Sequence, residues 1–446
     1  MLTVPVDVDV DVDAEPVVGV EALADEVLED AATTAESDVE LEWLLEPHAA
    51  TSSTGASAKP IRLRIGSGIA AAKDAIIQAM RIALVTTYPS DYRLPLYRLL
   101  AERDGLEVLC YGRGARYAPA WSASLDEQLA AADFPARRID GPRAALELGR
   151  EYDAVIAPFA GGSMLPAAYA GAERFGTPFV LWASVWHQPR SVTHALALPV
   201  TRHIYRHADA VIAYGEHVRR FAAQIRGRDD DIFVAPQAVE RDLFGRHVDD
   251  AEITAFRAEH ELGDGPLVLY TGRLVAEKGI GVLARAWPQV TAPATLVLAG
   301  DGPYAEWMRS VPGARLLGPV PRAQLVVAYA AAQFTVVPSI PTPRFKEPWG
   351  LVCNEAFEQG RTVVATTAVG AAAGGLVRDG DTGLVIAPND PGRLAEAIDA
   401  LLDDDALRRR LGDGARAAVQ PFTYDAMAAG VEAALTSAAA GSWRGR

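Results

Sequence analysis

Short apolar runs separated by amphipathic stretches recur from Met80 onward. Arg81-Ile-Ala-Leu-Val-Thr-Thr reads as a buried strand, and Leu96–Arg103 as the helix after it. Leu106–Tyr111, Ala154–Ala157, Pro178–Trp182, Asp209–Tyr214 and Asp231–Ala235 continue the strands, with a helix over Leu165–Phe175. The plan then repeats, with strands at Leu267–Thr271, Ala294–Ala299, Leu316–Leu317, Phe334–Val337, Thr362–Ala365 and Gly383–Ile386 and a helix over Gly281–Trp287. Strands alternating with helices predict α/β architecture with parallel, doubly wound sheets. Two such sheets, divided near Arg241–Asp250, leave a cleft where strand carboxyl ends face each other. The expected organisation is an extension and linker over 1–79, one domain over 80–243, a second over 244–423 and a final helix within 424–446.

The first 60 residues break the pattern. Val and Asp alternate from Val6 to Asp13, so Asp7, Asp9, Asp11 and Asp13 form nominal Asp-x-Asp pairs in a low-complexity run that reads as a solvated, disordered tail. Helical spacing over 21–45, a linker over 51–59 and a short amphipathic helix over 61–79 follow. This tail also carries most of the net charge of −16: residues 1–60 hold 15 acidic side chains and one basic, Lys59, whereas the remainder is nearly balanced at −2. The acidity therefore describes the extension, and nothing favours nucleic acid as a partner. Two cysteines, Cys110 and Cys353, lie far apart in apolar contexts, which argues against a disulfide framework or a cysteine metal site and fits a reducing cytoplasm. No basic, apolar signal segment opens the chain, and the longest uncharged run, Ala154–Ala172, is interrupted by Pro158, Gly161, Gly162 and Pro166, so a soluble protein is expected.

The densest chemistry lies between Pro338 and Ala365. Prolines forbid helix as far as Pro348, and Leu351, Val352, Ala356 and Phe357 then suit an amphipathic helix starting near Gly350 and stopped by Gly360. A helix N-terminus suits a phosphate. Glu347 and Glu355 flank it, eight residues apart, as acceptors for sugar hydroxyls. This strand–loop–helix–strand segment closely resembles the signature of the retaining glycosyltransferases of family 4, which have the GT-B fold. The resemblance covers roughly Met80–Gly430. It implies two Rossmann-like domains facing a cleft, with the last helix crossing back to the first.

Other constellations fit that frame. Thr271-Gly-Arg-Leu-Val-Ala-Glu-Lys-Gly-Ile follows a strand, with Gly272 permitting close backbone approach and Arg273 and Lys278 able to neutralise a diphosphate. In the family the matching cations grip the donor diphosphate. Gly300-Asp-Gly-Pro reads as a tight turn with Asp301 structural, and Gly318-Pro-Val-Pro is similar to a loop facing the nucleobase, with Val320 as the base contact or simply part of a turn. Asn354 is read as capping or packing and Glu358 as a solvated helix face. In the first half, Trp186-His187-Gln188-Pro189-Arg190 places His187 where the family has a histidine near the reactive sugar carbon. His194, His203, His207 and His217 carry no such support. Two segments depart from the family: Tyr88-Pro-Ser-Asp-Tyr-Arg replaces a glycine-rich loop, with Arg93 read as solvent-facing or as an acceptor contact, and Pro236-Gln-Ala-Val-Glu replaces Pro-Asn-Gly-Val-Asp. Arg202, His203, Arg206, His207, Arg219 and Arg220, beside Leu198, Ile204 and Tyr205, read either as solvated helix faces or as a membrane-surface patch.

The resemblance implies retaining, metal-independent transfer of a sugar from a UDP-, GDP- or ADP-sugar to an acceptor hydroxyl, in polysaccharide or lipid-linked glycan synthesis. His187, Glu347, Arg273 and Lys278 are the expected catalytic residues. Gly272, Arg273, Lys278, Val320, Glu347, Gly350, Leu351 and Glu355 are the expected donor-binding set, with no cofactor. A nucleotide-sugar epimerase on the same fold and a catalytically silent nucleotide-binding subunit remain open. The expected location is cytoplasmic, with peripheral contact at the inner membrane face as one option.

Overall fold

The computed structural model describes residues 80–112, 124–159 and 162–444 of the 446-residue chain. The Val-Asp repeat and the segments over 21–45, 51–59 and 61–79 lie outside the described residues.

Two parallel sheets carry the fold. The first holds β1 (Ile82–Thr86), β2 (Leu106–Cys110), β3 (Ala136–Arg138), β4 (Ala154–Pro158), β5 (Phe179–Ala183), β6 (Ala210–Ala213) and β7 (Ile232–Val234), in the order β3-β2-β1-β4-β5-β6-β7. The second holds β8 (Leu267–Thr271), β9 (Thr295–Ala299), β10 (Ala314–Gly318), β11 (Phe334–Val337), β12 (Val363–Thr366) and β13 (Gly383–Ile386), in the order β10-β9-β8-β11-β12-β13. Both follow one winding, and the order reverses between β1 and β4 and again between β8 and β11, where a crevice opens at the strand carboxyl ends. The doubly wound pair of sheets is the architecture expected from the apolar pattern. One strand was not expected: β3, Ala-Arg-Arg, is a half-exposed edge strand with no apolar run to announce it.

Helices cover both faces of each sheet, so central strands are buried on both sides and read as continuous apolar runs. Phe-Val-Leu-Trp-Ala of β5 and Leu-Val-Leu-Tyr-Thr of β8 are buried throughout. The last helix, Tyr424–Arg444, packs on the first sheet, with Met427, Val431 and Leu435 fully buried in one cluster with Ile82, Leu84 and Val180. Each such side chain contributes about 1.5–3 kcal/mol of burial.

The seam between the sheets is polar, buried and cross-linked by side-chain hydrogen bonds. Gln237 Oε1 accepts from the Arg93 guanidinium at 2.5 Å, and the Gln237 carbonyl accepts from Asn354 Nδ2 at 2.8 Å. Asn354 Oδ1 in turn accepts from Trp349 Nε1 at 2.7 Å, so Asn354 is a packing residue of the seam. Arg93 is not solvent-facing: it is buried, donates also to the Met427 sulfur, and lies against the rings of Tyr92, Trp182 and Tyr214. Glu358 is likewise not a solvated face. It is buried and accepts from Arg241 Nε at 3.1 Å, a pairing that the helical pattern cannot reveal because Arg241 lies 117 residues away.

In the basic region Arg202, His203, Arg206 and His207 are exposed, as solvated helix faces require, but the apolar neighbours differ from expectation. Ile204 and Tyr205 are buried, Arg220 donates to the Ala373 carbonyl at 2.9 Å, and Arg219 pairs with Glu216 and Asp229. The exposed apolar side chains of the Val192–His207 helix are instead Val192 (77% exposed), Leu196 (76%) and Val200. Their i, i+4, i+8 spacing places them on one stripe. Among the described residues no helix is long and apolar enough to cross a membrane.

Candidate active site at the cleft

The site is built from the loops that leave β8, β9 and β11. Gly300 (φ +154°) lies so close to the loop after β8 that a Cβ there would meet the Gly272 carbonyl oxygen at 1.9 Å. After Arg273 the chain makes a 3-10 turn over Ala276–Lys278 and reverses at Gly279 (φ +73°). A Cβ on Gly279 would sit 1.9 Å from the Pro338 carbonyl oxygen, so only glycine lets this turn press against the end of β11. That contact brings Lys278 to Glu347.

Lys278 Nζ forms an ion pair with Glu347 Oε2, which also accepts from Ser339 Oγ at 3.0 Å. Glu347 is buried. The two donors supply the compensation a buried carboxylate requires. Arg273 pairs with Glu277 at 3.3 Å, and its carbonyl accepts from Tyr270 Oη at 2.7 Å. Burial raises the pKa of the Tyr88 phenol, and Arg273 is near enough to act against that rise, which puts the loop after β1 within electrostatic reach of the loop after β8.

Glu347 is held through its backbone carbonyl from both halves. Its carbonyl accepts from Trp186 Nε1 at 2.9 Å and from the Gly370 amide at 3.1 Å. The next carbonyl, Pro348, accepts from His217 Nε2 at 2.8 Å. A carbonyl can only accept, so that nitrogen carries the proton. Burial lowers the His217 pKa to about 4 and keeps the ring neutral, packed between Trp186 and Trp349.

Glu355 lies on the Val352–Glu358 helix, half-buried, and accepts from Tyr329 Oη at 2.5 Å. With Glu355 ionised the tyrosine proton is committed there, so Thr271 Oγ1, 2.8 Å from the same oxygen, is the donor of the second bond. Burial raises the pKa of both Glu355 and Tyr329. Gly350 (φ +94°) makes the turn before this helix, and Leu351 is half-buried at its start. Val320 is half-buried in the loop after β10.

From the first half, His187 reaches a cavity of about 520 Å³ shared with the Pro341–Lys346 loop and with Thr367 and Ala368 after β12. Neither of its buried ring nitrogens has a hydrogen-bond partner. Burial, followed by the nearby Lys346 and His194 charges, lowers its pKa.

The expected residues Gly272, Arg273, Lys278, Glu347, Gly350 and Glu355 thus gather at the carboxyl ends of β8 and β11. His187 lies on the first half's side of the cavity that Lys346, next to Glu347 in the chain, also lines. Sequence reading missed Thr271, Tyr329, Ser339, Trp186 and His217. Trp186 and Ser339 neighbour motif residues, which was a signal available. Tyr329 and His217 sit within ordinary amphipathic helices and gave none. The arrangement offers two cations, two fixed carboxylates and glycine-lined turns, the equipment for an anionic leaving group beside hydroxyl-bearing rings. Among the described residues no group of three His, Cys, Asp or Glu side chains is placed to hold a metal ion.

Residues 265–404 match the family model described as glycosyl transferases group 1. The chain is 32% identical over 292 residues to a D-inositol 3-phosphate glycosyltransferase of Xylanimonas cellulosilytica, covering 59% of this chain and 67% of that one. It is 31% identical over 258 residues to the alpha-D-kanosaminyltransferase of Streptomyces kanamyceticus, covering 54% and 62%. The chain therefore spans about two thirds of the length of these relatives. Among solved structures, Anabaena HepE in complex with UDP superposes with a TM-score of 0.67 at 21% identity, covering 80% of this chain and all of that one, a likeness of fold.

Proposed function

The chain belongs to the glycosyl transferases of group 1, and we propose that it is a retaining transferase that moves a sugar from a nucleotide-diphosphate sugar to an acceptor hydroxyl. The observation that carries this reading is the Lys278–Glu347–Ser339 cluster and the Tyr329–Glu355 pair, with Glu347 before and Glu355 on one short helix and Arg273 on the loop that carries Lys278. Arg273 and Lys278 stabilise the departing diphosphate electrostatically. Lys278 has three N–H donors, so it can serve Glu347 and a phosphate oxygen together. Glu347 holds the sugar and Glu355 the ribose of the donor. The bond from the anomeric carbon to the diphosphate oxygen breaks, the acceptor oxygen attacks the same face, and its proton passes to the leaving phosphate. His187 supports the reacting end of the sugar. Two fixed cations provide the charge that a divalent metal would supply, and a metal-independent reaction follows. UDP is the favoured base carrier because HepE is described with UDP and with UDP-glucose; GDP and ADP are the alternatives.

The acceptor belongs to glycan or lipid-linked glycan synthesis in the cytoplasm. Peripheral membrane contact is supported by the exposed Val192, Leu196 and Val200 stripe, which runs into Arg202 and Arg206 on a helix without acidic residues. Flotation with anionic vesicles, lost in Leu196→Asp, checks that contact.

The experiment for the reaction is incubation with UDP-, GDP- and ADP-sugars and candidate acceptors in excess chelator, with the product's anomeric configuration read by NMR. Retention with undiminished turnover is expected. Inversion, or turnover abolished by chelator and restored by a divalent metal, contradicts the reading.

A further inference from the structure

The 520 Å³ cavity beside the candidate donor site is lined by Arg190, Lys346 and His187, and no Asp or Glu is among its walls. Three observations set it apart from an ordinary surface depression. First, its cations are uncompensated: among the described residues neither Arg190, Lys346 nor the adjoining Arg344 has a carboxylate within 4.0 Å, and Glu347, the acid next in sequence, is committed to Lys278 and Ser339. Lys346 sits 3.4 Å above the centroid of the Trp186 ring, where burial lowers its pKa. A partly buried ammonium over an indole face with no carboxylate beside it keeps N–H donors for an anion. Second, both nitrogens of His187 are buried in the unliganded protein without a partner. A buried polar group without a partner calls for one from outside the chain. Third, the loop that carries the cations is fixed. Arg190 N donates to the Pro343 carbonyl at 2.7 Å across the cleft, and the Phe345 amide donates to Thr342 Oγ1 at 2.9 Å. The backbone that carries the cations is held in place, which lowers the ordering cost of binding.

We propose that this cavity is a second anion site, separate from the Arg273–Lys278 diphosphate site, and that it receives a phosphate group carried by the acceptor. The inference rests on the transferase reading and adds the acceptor's chemical class: a phosphorylated sugar or polyol in solution, or the phosphate of a lipid-linked acceptor. Lys346 and Arg190 bind the phosphate oxygens, which sets the acceptor beside His187 at the reacting end of the donor sugar.

The test is calorimetric titration of inorganic phosphate and of glucose 6-phosphate into the full chain, the Arg190→Gln/Lys346→Gln variant and the Arg273→Ala/Lys278→Ala variant, with UDP titrated into all three. The proposal expects glucose 6-phosphate to bind, free glucose to bind at least ~10-fold more weakly, and the Arg190→Gln/Lys346→Gln variant to lose ~10-fold or more in phosphate affinity, the scale of charge-assisted hydrogen bonds. That variant keeps the UDP affinity of the parent, whereas Arg273→Ala/Lys278→Ala keeps the second phosphate site. Phosphate affinity unchanged by Arg190→Gln/Lys346→Gln in a protein whose melting curve is intact overturns the proposal. Failure of UDP to bind strikes the donor reading instead, and the effect of the two variants on phosphate still decides this site. If vesicles bearing phosphatidic acid bind through Arg190 and Lys346 and glucose 6-phosphate does not, the site stands and its phosphate source is a lipid.

Discussion

The loop after β1 and the loop after β8 occupy the same place in two sheets of the same winding, and each contains arginine. They have opposite fates. Arg93, after β1, is buried among Tyr92, Trp182 and Tyr214 and hydrogen-bonded to Gln237, so its charge is spent inside the protein on joining the two sheets. Arg273, after β8, remains about a third exposed and pairs with a neighbour of its own loop, Glu277. One guanidinium is buried in the seam and the other stays partly exposed at the cleft, although both stand at a switch point where ligands bind in such sheets. Topology locates the crevice. Burial and partners decide which side of it does chemistry.

The sharpest way to break this contrast is at Glu347. Glu347→Gln removes the charge that holds Lys278 and leaves only a neutral, weaker acceptor for a sugar hydroxyl, and turnover is expected to fall by roughly 100-fold or more, on the scale of losing one electrostatic element of an active site. A variant that keeps its fold and more than half of its turnover would move the chemistry away from β11.

A smaller effect tests the seam through His217, buried and neutral beneath Pro348. Its folded pKa of about 4 lies below the ordinary value of 6.5, so the unfolded chain takes up a proton that the folded chain refuses between those values. Stability is then full above about pH 6.5 and falls as pH drops toward 4, by on the order of 2–3 kcal/mol. Urea denaturation between pH 4 and 7 should show this slope. His217→Gln should flatten it, and an equal slope in both proteins removes His217 from the account.

Much of this was legible in the sequence. The apolar runs placed both sheets because doubly buried strands are continuously hydrophobic, and the resemblance to the family pointed to Glu347, Glu355, Arg273 and Lys278, which the structure gathers beside strand ends. What the sequence could not reveal depends on partners distant along the chain. Glu358 looks like a surface glutamate until Arg241 closes over it. Arg93 looks solvent-facing until Gln237 and Met427 meet it from the seam and the final helix. Ile204 and Tyr205 look like part of a basic, apolar face, yet they point into the first sheet's core, and the exposed stripe lies in the preceding turns of the same helix. Tyr329 and Thr271 complete Glu355 through hydroxyls that carry no pattern at all.

The most direct measurement is calorimetric titration of UDP, then GDP and ADP, into the parent chain, Arg273→Ala and Arg93→Ala, with a melting curve for each. The account predicts that Arg273→Ala lowers the affinity for the preferred nucleotide by ~10-fold or more with little change in stability, the loss of a charge-assisted contact. It predicts that Arg93→Ala lowers stability by about 2–4 kcal/mol, through lost hydrogen bonds and ring contacts and an unpaired Gln237, while the folded fraction binds nucleotide like the parent. The reverse pattern, with nucleotide affinity lost in Arg93→Ala and kept in Arg273→Ala, would contradict the assignment of the donor site to the second sheet.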